Sequence, residues 1–125
     1  MLINKNKKAG NLLLISFDKI LAKHCKEELS PFCELDTLNS MEELEQYSNL
    51  PSAIIYLMDY SSATHLHNVK YIRNKCSSSL LFVVTTAVSI PLLHQSLHLG
   101  VDDLFLFPLS NQDKHSLIFI LKNKT

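Results

Sequence analysis

A parallel α/β sandwich, one sheet with helices on both faces, is predicted by three observations on this sequence. Five short runs are apolar on consecutive residues, each is followed by a stretch with helical spacing, and the connections between them are short. Strands covered on both faces read as continuous apolar runs, whereas half-solvated strands alternate. Repeated strand–helix alternation then requires right-handed crossovers and a parallel sheet.

The first ten residues, with Lys5, Lys7 and Lys8, read as a solvated N-terminal tail, and residues 11–125 as the domain. Asn11 to Ser16 forms the first buried strand. Ile20, Leu21, His24, Cys25, Glu28 and Leu29 then mark an amphipathic helix that Asp18 caps and Ser30-Pro31 ends. Phe32 to Leu38 is a short second strand. Ser40-Met41-Glu42-Glu43 has the form of a capping box and opens a helix to about Tyr47, and Asn49-Leu50-Pro51 is a turn.

Ser52 to Met58 is the third strand, followed by the polar loop Asp59 to Ser62. Thr64 is expected to cap a helix to about Lys75, with Leu66, Val69, Tyr71 or Ile72, and Cys76 inward. Leu80 to Thr85 is the fourth and most β-branched strand. Ile90-Pro91 opens a helix in which Pro occupies a tolerated first-turn position, and Gly100 stops it after Leu99. Leu104 to Phe107 reads as a fifth strand buried on both faces. Pro108 ends it, and Ser110 or Asn111 caps a last helix to about Lys122.

Charge and cysteine content narrow the function. Lys plus Arg and Asp plus Glu are 12 each, so the basic excess of a nucleic-acid-binding domain is missing, and direct contact with nucleic acid is not expected. No run approaches the ~18 apolar residues of a membrane span. Cys25, Cys33 and Cys76 include no C-x-x-C pair, which suits free thiols in a reducing compartment and a cytoplasmic protein. The only glycines are Gly10 and Gly100, so no phosphate-cradling glycine loop exists. His65 and His67, and His94 and His98, resemble metal-ligand spacings. Without a cysteine or carboxylate spaced to join them, they are read as solvated, and no metal is expected.

The stretch Gly100-Val101-Asp102-Asp103-Leu104-Phe105-Leu106-Phe107-Pro108-Leu109 and the ending Val84-Thr85-Thr86-Ala87 resemble the receiver domains of bacterial response regulators. Their last strand is written G-A-D-D-Y-L-x-K-P-F. The resemblance covers nearly the whole chain and implies a flavodoxin-like (βα)5 sandwich with strand order 2-1-3-4-5. It also implies where chemistry would sit. Ser16 and Phe17 fall on the family's acidic pair, Leu57 on the phospho-acceptor Asp, Thr86 on the hydroxyl ending strand four, and Phe107 on the Lys.

Aspartyl phosphorylation needs a carboxylate nucleophile, carboxylate ligands for Mg²⁺ and a cation to meet the phosphoryl group. Of these positions only Thr86 keeps its group. The expectation is a pseudo-receiver, not an enzyme and without a cofactor, whose pocket Phe17, Leu57 and Phe107 fill together. An alternative frame makes Asp59 the acceptor and Asp18 with Asp59 the Mg²⁺ site. The resemblance further implies action through protein contacts, as the N-terminal regulatory domain of a response regulator or transcription factor, or as a free-standing adaptor. The implied contact face, suited to an output domain, a partner or a homodimer, is the fourth helix, fifth strand and fifth helix. Its expected apolar residues are Leu92, Leu93, Leu97, Leu104, Phe105 and Phe119.

Overall fold

The computed structural model describes residues 11–47, 51–58 and 63–124. Strands β1 (Asn11–Ser16), β2 (Glu34–Leu38), β3 (Ala53–Met58), β4 (Leu80–Thr85) and β5 (Asp103–Leu106) alternate with helices α1 (Lys19–Leu29), α2 (Met41–Gln46), α3 (Ala63–Lys75), α4 (Ile90–His98) and α5 (Asn111–Lys124). All the pairings are parallel and the order is β2-β1-β3-β4-β5, so this is the flavodoxin-like sandwich that the sequence predicts.

Side chains of a strand point alternately to its two faces, and this sorts the core into two layers. Leu12, Leu14, Ile55, Leu57, Phe82, Val84 and Phe105 meet α1 and α5 through Cys25, Leu29, Leu117 and Leu121. Leu13, Ile15, Ile54, Tyr56, Met58, Leu81 and Val83 meet α2, α3 and α4 through Leu44, Val69, Ile72 and Leu92. Every residue of β3 is buried. At about 2 kcal/mol for each fully buried large apolar side chain, this central strand is the strongest hydrophobic contributor to the sheet.

Two elements depart from expectation. β5 is not buried on both faces: it is an edge strand, with Phe105 buried but Leu106 50% exposed. Four consecutive apolar residues do not distinguish an inner strand from this one, which is short and ends the sheet. β2 starts at Glu34, because the amides of Phe32 and Cys33 still donate to the carbonyl of Leu29 and close a turn.

The helix starts follow side-chain oxygens. Asp18 accepts from the amides of Ile20 and Leu21, Ser40 from Glu43, Ser89 from Leu92 and Ser110 from Asp113. Thr64 caps nothing, as it lies within the first turn of α3. Of the expected turn Asn49-Leu50-Pro51, residues 49 and 50 lie outside the described residues, as does the expected tail 1–10. At the end of α4 the amides of Gly100 and Val101 donate to the carbonyls of Leu97 and Ser96. This closure puts Gly100 at φ 96°, where a side chain would be strained.

Arg73, the chain's only arginine, ties the far end of the sheet together. Its guanidinium donates to the carbonyls of Cys76, Ser79 and Gly100 and pairs with Asp102 at 3.4 Å. Asp102 also accepts from the amide of Leu81 at 2.8 Å, so one cation links the end of α3 to the starts of β4 and β5.

Candidate functional site

In a doubly wound sheet, ligand groups converge beyond the carboxyl ends of the strands, near the switch between β1 and β3. The structure brings the predicted positions to this edge. Ser16 pairs with Leu57 in the register, and Met58 with Thr85.

Ser16 is buried, and its hydroxyl is committed to the turn after β1. It donates to the carbonyl of Asp18 at 2.9 Å and accepts from the Asp18 amide at 3.2 Å. Asp18 is itself engaged as the cap of α1. Leu57 is 3% exposed within the layer under α1 and α5, and Phe107 packs half-buried against that same layer. The Phe107 amide donates to the carbonyl of Thr85 at 2.8 Å, which fixes the exit from β5. Thr85 is fully buried, with its hydroxyl turned back on Ala87, while Thr86 is exposed.

Phe17 departs from the expected trio. It does not join Leu57 and Phe107 but lies on the opposite face of the sheet, 43% exposed, against the rings of Tyr56 and His65. The reason is the period of the strand: Tyr56 and Leu57 are neighbours in β3 and so point to opposite layers. The hydrocarbon at this edge is therefore two patches, one on each face.

Beside Phe17 lies a polar constellation that the sequence reading did not isolate. The Tyr56 hydroxyl, on a ring with no exposure, is 2.7 Å from Nδ1 of His65, and Nδ2 of Asn68 donates to it at 3.0 Å. His65 and Asn68 lie one turn apart on α3, and that i, i+3 spacing was the available signal. Asp59, the alternative acceptor, lies outside the described residues. Among the described residues no group of three or more His, Cys, Asp or Glu is placed to hold a metal ion, and no helix is long and apolar enough to cross a membrane.

The residues expected on the contact face differ in exposure. Leu93, Leu97 and Phe119 are exposed and Leu104 is half-buried. Leu92 and Phe105 are buried in the core and cannot contribute to a contact. Leu92 sits on the inner side of α4, one position from Leu93, and Phe105 faces Phe82 beneath α5, with ring centroids 5.9 Å apart.

No family model matches the sequence, and no curated protein matches it. Solved structures do. The signal receiver domain of a protein named as a Luxo repressor, from Vibrio parahaemolyticus, superposes with TM-score 0.75 at 18% identity, over 92% of each chain. A response regulator receiver domain protein from Clostridium thermocellum gives 0.74 at 15% identity, over 91% of this chain and 94% of its own. A protein named for pilus assembly (cpaE), from Burkholderia thailandensis, gives 0.74 at 15% identity, over 90% and 98%. The chain has the fold of these receiver domains. Within that fold, Leu57 is the penultimate residue of β3, and Phe107 follows the last residue of β5.

Proposed function

We propose that this chain is a receiver-like signalling domain that carries no phosphoryl group and acts through protein contacts. The observation that carries the reading is Leu57, an apolar side chain packed in the core at the position where the resemblance puts the acceptor Asp. Ser16 closing a turn, Asp18 spent on a helix cap and Phe107 in place of a cation support it. No reaction of its own is assigned to the domain, which works in the cytoplasm as the regulatory domain of a response regulator or transcription factor.

Incubation with acetyl phosphate and Mg²⁺, followed by intact-mass spectrometry, tests the reading. The expected result is an unmodified chain, and a phosphoryl adduct mapped to Asp59 would overturn it. The contact face is the exposed part of α4, β5 and α5, where Leu93, Leu97, Leu106 and Phe119 offer apolar surface to a second copy or an output domain. Sedimentation of the parent chain and of Leu97→Glu reads the homodimer directly: a dimer that the substitution turns into monomers is expected.

A further inference from the structure

We propose that His94 and His98 form a binding site for a late first-row divalent cation such as Zn²⁺, Ni²⁺ or Cu²⁺. The two residues lie four apart on α4, so their side chains rise from the same face with Cβ atoms about 6 Å apart. Both are exposed, and both line a single hollow of about 410 Å³ between α3 and α4, together with Leu66, Gln95 and Leu99. Two imidazole nitrogens presented to one cavity are a ligand pair for borderline cations, which favour nitrogen over the all-oxygen shells of Mg²⁺ and Ca²⁺.

The surroundings strengthen the pair. Leu66 and Leu99 wall the hollow with hydrocarbon, which lowers the local dielectric around a bound charge. His98 is the last residue of α4, and the carboxyl end of a helix carries partial negative charge that favours a cation. No third His, Cys, Asp or Glu joins the pair among the described residues, so water completes the shell. The other candidate pair is different. His65 and His67 are two apart and face different directions on α3, and His65 already meets Tyr56 through Nδ1.

Isothermal titration of the untagged chain with NiCl₂ and with ZnCl₂ tests the site. Saturable binding is expected, retained in His67→Ala and lost in both His94→Ala and His98→Ala. Because both targets are exposed, these variants keep the fold. Absence of saturation in the parent, or binding that survives in the His94→Ala/His98→Ala double variant, would overturn the assignment.

Discussion

The Tyr56 hydroxyl and Nδ1 of His65, 2.7 Å apart, join the central strand to the helix that follows it. Asn68 donates to the Tyr56 oxygen through Nδ2, which leaves the Tyr56 proton available for Nδ1 of His65. On this arrangement His65 is expected to be the tautomer protonated on Nε2. Tyr56→Phe removes this hydroxyl from His65 and Asn68, and a loss of about 1–2 kcal/mol in urea unfolding is expected. Nitrogen chemical shifts of His65 check the tautomer, and a proton on Nδ1 would contradict the assignment.

Gly100→Ala tests the far end of the sheet. A Cβ at this residue would stand 2.7 Å from Cδ of Arg73, on a backbone with φ of 96°. Strain and collision act together, so a destabilisation of about 1–3 kcal/mol is expected. Amide hydrogen exchange would show the loss concentrated at the starts of β4 and β5, where Arg73 holds the chain.

Leu57→Asp asks whether the acceptor position can take back a carboxylate. The side chain would enter a packed hydrocarbon layer, and stability should fall by about 3 kcal/mol or more. In the parent chain, Mg²⁺ is expected to leave the thermal midpoint unchanged. A large rise on adding Mg²⁺ would show a metal site at this edge and defeat the pseudo-receiver reading.

Alkaline pH should weaken the fold through two groups. Burial above all, then the charges of Glu28 and Cys33, push the Cys25 thiol up from 9.0 to about 12. Burial, then the hydrogen bond and charge of Asp36, push Tyr47 up from 10.0 to about 12. A group that holds its proton more tightly when folded favours the native state below its unfolded pKa, and that preference is lost as pH climbs toward the folded value. The urea midpoint is therefore expected to fall between pH 9 and 12. Iodoacetamide at pH 8 should leave buried Cys25 unmodified until the chain unfolds.

Much of the fold was legible because consecutive apolar residues and helix caps are local signals. Ser40 with Glu43, Pro91 and Gly100 each mark a boundary by their own chemistry. The edge position of β5 was not legible, since Leu104 to Phe107 look the same whether one face or two is covered. The side of the sheet that each residue of the site edge faces was not legible. Phe17 lies just past β1 and packs on Tyr56, whose layer is opposite to that of its neighbour Leu57, a relation that appears only once the chain is folded. The Arg73 junction draws on carbonyls of Cys76, Ser79 and Gly100, and main-chain acceptors leave no mark in a sequence.

The form of β5 also bears on how copies of this domain can meet. An open sheet edge is a template for a foreign strand, and long flat apolar edges seed aggregates. Here the edge is only four residues long, and the Asp103 carboxylate already takes the amide of Leu104 at 2.8 Å. Strand-to-strand growth is poorly supported on such a border, and assembly is steered to helix surfaces, where it can close and stop.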